Sequence, residues 1–298
     1  SGAKGHAPPD SYKVSATALD GFRCAGTLVI VGIDAVAKAE RTGRAVVERT
    51  RAMLQARGWG DYTATRVEAI GGETLYGPHS RARGAREVMM RVVCDHPRVE
   101  ALKLFAREIA PAGTSWAPGT GTPGGGRPGV SPLIKPLAFT VARDAVPTAV
   151  VIEGRRIELP LPASGHSGGP GPDAPQPDPW QMPGEPTVEV PLLRLVWARS
   201  GDKGNISNIG LIARRPQWMP MLWALLTPQR VHAYFAHLVH GPVERFYLPG
   251  IEAMNIVMHE ALDGGGPSSM RMDPLGKGMG QMLLDMALPI PASVAAQL

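Results

Sequence analysis

Residues 198–210 read Ala-Arg-Ser-Gly-Asp-Lys-Gly-Asn-Ile-Ser-Asn-Ile-Gly, and this stretch decides how the second half of the chain folds. It joins two apolar runs, at 192–197 and 209–213. Apolar runs separated by a short polar segment that contains glycine predict two strands connected by a tight turn. Gly201 and Gly204 favour the turn, because glycine accepts backbone conformations that other residues resist.

The polar residues of this turn form the first candidate site. Asp202 and Lys203 place an acid beside a base, and we predict a functional turn because functional groups concentrate on loops held by rigid elements. The alternative is an ordinary solvated turn, since serine, glycine, aspartate and asparagine are common turn residues. The predicted substrate-binding residues of the turn are Ser200, Gly201, Gly204 and Asn205.

Composition limits the class of protein. The chain has 298 residues, of which 44% are hydrophobic and 19% charged, so about two domains with ordinary cores are expected. The net charge of +5 is mildly basic, and neither a long Lys/Arg run nor many aromatic residues are present. We therefore expect no nucleic-acid partner. Attraction of anionic small molecules is compatible with this charge.

The two cysteines, Cys24 and Cys94, lie in apolar strand-like runs and are interpreted as small core residues, with one disulfide as the alternative. This cysteine usage favours a cytoplasmic location. The sequence has no apolar stretch of about 18 residues, so no membrane partner is expected.

Proline and glycine divide the chain. Residues 160–191 contain 10 prolines and 5 glycines, a composition that cannot form a packed core and predicts an extended linker. We predict an α+β protein. A mixed α/β first domain at 1–155 is joined by a Pro/Gly-rich linker at 156–190 to an α+β sandwich at 191–298.

Hydrophobic periodicity and turn residues predict the individual elements. Leu19-Asp20-Gly21 is expected to join two strands, Asp34 to cap a long helix, Pro97 to open a second helix, and Thr227 to cap a third. The predicted helices cover 34–57, a segment after Pro97, a segment after Thr227, and about 277–287. The predicted strands cover 13–18, 22–31, 62–70, 87–93, 131–141, 148–153, 192–199, 206–213, 243–248, 251–259 and 268–273.

A glycine-rich segment at 119–127 is the second candidate site. Backbone N–H groups of such a loop can surround a phosphate. The segment lacks the Lys-Ser/Thr ending of a P-loop and follows a predicted helix, so it fits no nucleotide-binding fingerprint. The two remaining interpretations are a flexible surface loop and a phosphate-binding lid that includes Gly124, Gly125 and Arg127.

A third candidate group lies near the end of the chain. Gly265 belongs to a glycine triplet, and Asn255 is a polar residue in an otherwise apolar strand, where it is either hydrogen-bonded in the core or directed at a site. We expect both to converge with the turn at 201–205. His79 and His259 are alternatives as general bases, and the histidines have no partners at ligand spacing, so no metal site is predicted.

Several of these motifs resemble the acyclic terpene utilisation (AtuA) family. The resemblance rests on 199–205 with 208–210, on Tyr-Leu-Pro-Gly at 247–250 with 253–255, and on the glycine-rich segment 263–273. Further matching positions are Lys277, Gly278, Gly280 and Gln281 near the end, and Leu19-Asp20-Gly21-Phe22 with 121–126 in the first half.

The resemblance implies a ferredoxin-like second domain and chemistry on branched acyl-CoA thioesters. The chain would then be a component of a hydratase- or lyase-type enzyme, with Asp202 as base or orienting carboxylate and Lys203 and Asn205 holding an oxyanion or phosphates. Arg127 and Lys135 would contact CoA phosphates. The only cofactor expected is the CoA carried by the substrate.

Family members are about twice as long and begin with an α/β region that this chain lacks, so we expect a fragment or one half of a split protein. A separate N-terminal half or subunit is then a partner, and a homo-oligomer is expected. The alternative function is a non-catalytic oligomerisation or ligand-sensing half that supports a catalytic N-terminal region.

Overall fold

A computed structural model describes residues 8–160 and 175–298. The chain forms two compact units. The larger combines Leu19–Lys135 with Pro175–Leu298, and the smaller combines the described parts of Ser1–Ala18 and Pro136–Ala174.

The first half of the chain alternates strands with two long helices. In chain order the elements are β1 (Ser11–Val31), α1 (Ala35–Gln55), β2 (Ala64–Ile70), β3 (Glu87–His96), α2 (Val99–Ser115), β4 (Thr120–Gly121) and β5 (Val130–Ala142). The strands form an antiparallel sheet in the order β2-β3-β1-β4, and β5 also pairs with β1.

Strand alternation gives this sheet one apolar and one polar face. On the apolar face, Cys24 pairs with Cys94 and Leu28 with Met90, and all four side chains are buried in one core with residues of α1 and α2. Both cysteines are free thiols, and burial raises the pKa of Cys24 to about 11. They are therefore core residues with little thiolate character at neutral pH.

Three local predictions in this half are wrong. Leu19-Asp20-Gly21 does not end a strand: β1 runs through it, because Gly21 absorbs a φ of 93° just before the pairing of β1 with β3 begins at Phe22. Asp34 precedes α1 but has a φ of 56° and makes no side-chain cap hydrogen bond. The second helix begins at Val99, two residues after Pro97.

The smaller unit carries a short hairpin. Its strands are β6 (Ala149–Ile152) and β7 (Arg155–Glu158), which pair antiparallel. The backbone N–H of Arg143 donates to the carbonyl of Asp10 at 3.0 Å. Apolar side chains of the hairpin, such as Val151, are exposed.

The last part of the chain forms a second antiparallel sheet with short helices. Its elements are β8 (Thr187–Pro191), β9 (Val196–Lys203), β10 (Ile206–Ala213), α3 (Met219–Leu225), α4 (Pro228–Tyr234), β11 (Val243–Leu248), β12 (Ala253–Met258), α5 (Met279–Leu284), β13 (Ala287–Pro291) and α6 (Ala292–Ala295). The sheet order is β11-β12-β10-β9, and β13 pairs with β8. Buried residues of both sheets and helices share one core, which includes Leu211, Phe235 and Met254.

In the last part of the chain, the sequence predicts the strands better than the segments that connect them. The predicted strands at 206–213 and 243–248 are confirmed, and so is the cap at Thr227, whose Oγ1 accepts from the N–H of Arg230 at 3.2 Å. The strand predicted at 268–273 is wrong. Backbone carbonyls of this segment accept hydrogen bonds from side chains of the first sheet instead of from a neighbouring strand. Within the predicted linker 156–190, β7 and β8 are strands, and residues 161–174 lie outside the described residues. The helices and antiparallel sheets together make the chain an α+β protein.

Candidate functional site

The stretch 198–210 is a hairpin with a shorter turn than predicted. Lys203 pairs with Ile206, so only Gly204 and Asn205 form the turn. Gly204 has a φ of 68°, which explains why glycine is needed at this point. Gly201 and its neighbours are strand residues, because the ladder between β9 and β10 continues up to the turn.

Strand geometry separates the two residues predicted as catalytic. Successive side chains of a strand point to opposite faces. Asp202 pairs with the fully buried Ser207 and shares the inner face with the buried Ser200, whereas Lys203 shares the outer face with the exposed Arg199. Asp202 and Lys203 therefore cannot act together on one substrate atom.

Two of the predicted binding residues have structural partners. The Ser200 hydroxyl accepts from the N–H of Gly280 at 2.8 Å and donates to the carbonyl of Lys277 at 2.9 Å, which fixes the start of α5 on β9. The side-chain oxygen of Asn205 accepts from the N–H groups of Leu262 at 3.2 Å and Gly264 at 2.8 Å. Both side chains thus stabilise the fold around the hairpin.

The hairpin turn and the glycine triplet do converge. Gly265 packs on the carbonyl of Gly204, and the N–H of Ala261 donates to the carbonyl of Asn205 at 2.9 Å. Asn255 lies elsewhere, in the middle of β12, where its side-chain oxygen accepts from the amide of Asn208 at 3.0 Å. The predicted convergence therefore includes the triplet but not Asn255.

The segment after the triplet is a joint between the two sheets of the larger unit. Arg23 on β1 forms two 2.8 Å hydrogen bonds with Asp95 and also donates to the carbonyls of Pro267, Ser268 and Ser269. Glu68 on β2 accepts from Arg91 at 2.6 Å and from the N–H of Met272 at 3.1 Å. Sequence reasoning missed this joint, since single charged residues in strands give no signal of their partners.

The outer face of the second sheet, called the open face below, collects most of the remaining polar residues of 198–210. Register and burial define it. Inward-facing residues are buried or partly buried, and the others are exposed or half-exposed except Ala253. Its residues are Trp197, Arg199, Gly201, Lys203, Ile206, Asn208, Gly210, Ile212, Glu244, Phe246, Leu248, Ala253, Asn255 and Val257.

One end of the open face is cationic. Arg199 and Lys203 flank Gly201 on the same side of β9, and a Cβ at Gly201 would lie 3.4 Å from the Nζ of Lys277. Gly210 is paired with Arg199, and a Cβ there would meet only the carbonyl of Arg199, at 3.9 Å. Three positive side chains thus surround a floor without side chains, where a ligand can reach the main chain. Sequence reasoning had selected Lys203 and Gly201 but not Arg199, Lys277 or Gly210.

The other end of the open face is apolar. Trp197 pairs with Ile212 on β10, and Phe246 and Leu248 lie on β11, which is separated from β10 by β12. The four side chains are 40–53% exposed. Arg214 stacks on Trp197, with its guanidinium carbon 4.8 Å from the ring centroid. Neighbouring apolar side chains that remain exposed mark surfaces that bind apolar ligands or partners.

A histidine–carboxylate pair lies at the edge of the same face. The Nε2 of His259 is 2.7 Å from the Oε2 of Glu244, and Glu244 lies in one register row with Val257, Asn208 and Gly201. When Nε2 carries the proton and donates to Glu244, Nδ1 keeps a lone pair. Chemically, the open face combines cations and amides that stabilise negative charge with an imidazole that can take a proton.

The predicted glycine-rich site lies at a cavity of the first sheet. Gly124, Gly125 and Arg127 line a cavity of about 520 Å³ beside β1 and α2. Lys135 is not among the lining residues, and its Nζ is 3.4 Å from the carboxylate of Asp20.

Two further properties bear on the class of site. The described residues contain no group of three or more His, Cys, Asp or Glu side chains placed to hold a metal ion. Along 8–160 and 175–298, no helix combines the length and apolar character that a membrane crossing requires.

The models of two known protein families match the chain. Residues 1–152 match the model of the acyclic terpene utilisation family protein AtuA. The chain belongs to the AtuA family. Residues 190–289, which carry the open face, match the AtuA ferredoxin-like domain, so the second sheet and its helices form a ferredoxin-like domain. No curated protein and no solved structure matches the chain. Membership of the AtuA family connects the chain with acyclic terpene utilisation.

Proposed function

We propose that this AtuA-family chain binds a branched acyl-CoA thioester on the open face of its ferredoxin-like domain and contributes to hydratase- or lyase-type chemistry beside the thioester. One observation carries the proposal: a cationic cluster around Gly201 and an exposed apolar cluster around Trp197 occupy opposite ends of a single sheet face. The substrate brings CoA with it, and the proposal requires no further cofactor.

The cationic end suits the phosphates of CoA. Arg199, Lys203 and Lys277 supply three positive charges, and neighbouring cations bind phosphate more strongly than a single one. Glu244, the acidic residue of the open face, lies three strands away from Gly201, a distance of about 14 Å. The floor glycines let phosphate oxygens approach backbone groups.

The apolar end suits the acyl group. Trp197 and Lys203 are six residues apart on β9, a separation of about 20 Å along the strand. A ligand with an anionic group at one end and a branched hydrocarbon at the other matches this separation of charge and apolar surface. Burial of a C10 acyl group on Trp197, Phe246 and Leu248 would be favourable by about 25 cal/mol for each Å² of apolar surface.

Catalysis on this face would use different residues from those that the sequence indicated. Hydration or cleavage next to a thioester needs a base for an acidic α-proton and donors for the enolate oxygen. Asp202 projects to the inner face, so His259, held by Glu244, is the base that the open face offers. Lys203 is assigned to the phosphates, so the amide of Asn208, which is paired with Gly201, is the donor for the enolate oxygen.

Calorimetric titration with CoA and with a geranyl-type acyl-CoA tests the proposal. Arg199→Ala combined with Lys277→Ala should weaken binding of both ligands at least 10-fold, because phosphate contacts are lost. Trp197→Ala should weaken only the acyl-CoA. Lys103→Ala, which removes an exposed charge from α2, is the control and should change neither. Absence of binding to the unaltered chain would refute the proposal.

A second candidate function is a non-catalytic half that oligomerises or senses a ligand in support of a catalytic N-terminal region. The exposed apolar end of the open face favours it, because sheet faces with neighbouring exposed Trp, Ile, Phe and Leu residues also suit a second copy or a subunit. Sedimentation of the chain and of Phe246→Glu distinguishes the two. A dimer that the substitution dissociates, together with no acyl-CoA binding, would favour this candidate.

A further inference from the structure

The cavity under the glycine-rich loop lies apart from the open face and has its own construction. β4 pairs with β1 at Val29 and Ile30, and the hydroxyl of Ser131 at the start of β5 is 3.5 Å from the carbonyl of Arg23. Between these two attachment points the loop 122–129 leaves the edge of β1. The cavity of about 520 Å³ opens there, with a volume typical of small-molecule sites.

The lining has an apolar floor and a polar roof. The floor consists of side chains from β1 and α2, including Leu28, Ala106 and Ile109, which are buried. The roof contains Gly124, Gly125 and Gly126, with φ values of 92°, 92° and 77°, and a Cβ added to any of them would meet no atom within 4 Å. The roof backbone is therefore open to a ligand, and side chains at these positions would be strained.

The charges of the lining select the ligand class. Among the described residues, the lining contains the cation Arg127 and no carboxylate, and Thr27 and Thr122 add hydroxyl groups. One guanidinium matches a single carboxylate, with which it forms two parallel hydrogen bonds. The apolar floor favours a hydrocarbon body over a second charged group.

We propose that this cavity is a separate binding site for a monocarboxylate with an apolar body, such as a medium-chain fatty acid. The carboxylate would pair with Arg127 below the glycine N–H groups, and the hydrocarbon would lie on Leu28, Ala106 and Ile109. The site is independent of the acyl-CoA site proposed above, because the residues of the two sites belong to different sheets.

Titration calorimetry with octanoate and 1-octanol tests this site. Arg127→Gln should weaken octanoate about 10-fold or more and leave octanol unchanged, because only the acid uses the guanidinium. Ala110→Trp, an exposed α2 position at the rim, should abolish binding of both by filling the cavity. Arg41→Gln on α1 is the charge-matched control, and melting temperatures verify that each variant is folded.

Three results would overturn the proposal. The first is that octanoate does not bind saturably to the unaltered chain. The second is that folded Ala110→Trp binds octanoate with unchanged affinity. The third is that Trp197→Ala loses octanoate binding, which would place the acid on the open face. CoA binding in Ala110→Trp separates the two sites, since the acyl-CoA proposal predicts that it is retained.

Discussion

Gly265 packs so closely on the carbonyl of Gly204 that no Cβ fits between the two residues. This contact joins the tip of the β9–β10 hairpin to the glycine triplet, which lies beyond β12 in the chain. The side chain of Asn205 strengthens the same joint through its hydrogen bonds to Leu262 and Gly264. The two glycine-rich motifs are therefore parts of one structural unit.

Gly265→Ala should destabilise the protein by more than about 2 kcal/mol, because the new Cβ would overlap the Gly204 carbonyl and a φ of 72° strains any L-residue. Gly266→Ala is the matched control. Its φ is 51°, but a Cβ would meet no atom within 4 Å, so only the backbone strain of about 1 kcal/mol is expected. Urea denaturation of both variants measures the difference, and equal losses would contradict the close packing.

Glu68→Gln should cost about 3 kcal/mol of unfolding free energy. The Glu68 side chain is 1% exposed and pairs with Arg66 at 2.8 Å and Arg91 at 2.6 Å. Its neutralisation removes the carboxylate that Arg91 contacts, whereas Arg66 keeps Asp263 at 3.3 Å. The exposed pair Arg156–Glu158 provides the comparison, because Glu158→Gln should change stability by less than about 1 kcal/mol. Equal effects in the two variants, measured by urea denaturation, would show that burial does not strengthen the Glu68 pairs.

The sequence alone was sufficient to predict elements that are stabilised by residues close to them in the chain. The cap at Thr227 and the hairpin strand at 206–213 depend on neighbouring residues, and both predictions are confirmed. The strand predicted at 268–273 failed because its backbone bonds go to Arg23 and Arg91, more than 170 residues away in sequence. A pattern of apolar residues cannot show such partners.

The candidate site illustrates the same limit. Glycines and charges at 199–205 predicted a turn with Asp202 beside Lys203, whereas the structure has both residues in a strand. Only the register of β9 shows that they face opposite ways. Lys277 joins the open face through a tertiary contact with Gly201, which periodicity and turn residues do not indicate.

Stability should fall as the pH falls below about 6.5, in part through His237. Burial lowers the pKa of His237 from its ordinary value of 6.5, and its Nε2 lies 2.9 Å from the carbonyl of Leu75. The unfolded chain therefore takes up a proton at a higher pH than the folded chain. Stability is full above pH 6.5 and is lost as the pH falls toward the folded pKa, by up to about 1.4 kcal/mol per pH unit.

Denaturation at pH 7.5, 6.5 and 5.5 compares the unaltered chain with His237→Gln, whose amide can still donate to Leu75. The neighbours of the ring are His79, with ring centroids 5.8 Å apart, and Arg271, and both also disfavour the charged form. The variant should show a shallower loss of stability at acid pH. A remaining slope is expected from His96, whose pKa is also lowered by burial. An unchanged slope would show that His237 does not contribute.

Lys203→Gln and Asp202→Asn should have opposite consequences, although the residues are adjacent. Lys203 projects to the open face, so its loss should weaken CoA binding about 10-fold, with a reduced dependence of affinity on salt. Asp202 projects to the inner face beside Ser207, so Asp202→Asn should leave CoA affinity within about 2-fold. Calorimetric titrations at 50 and 200 mM salt measure the CoA affinity of both variants. The electrostatic screening length falls from about 14 Å to about 7 Å between these two salt concentrations. If Asp202→Asn abolished binding while Lys203→Gln did not, the ligand would lie on the inner side of β9, and the open face would not be the binding site.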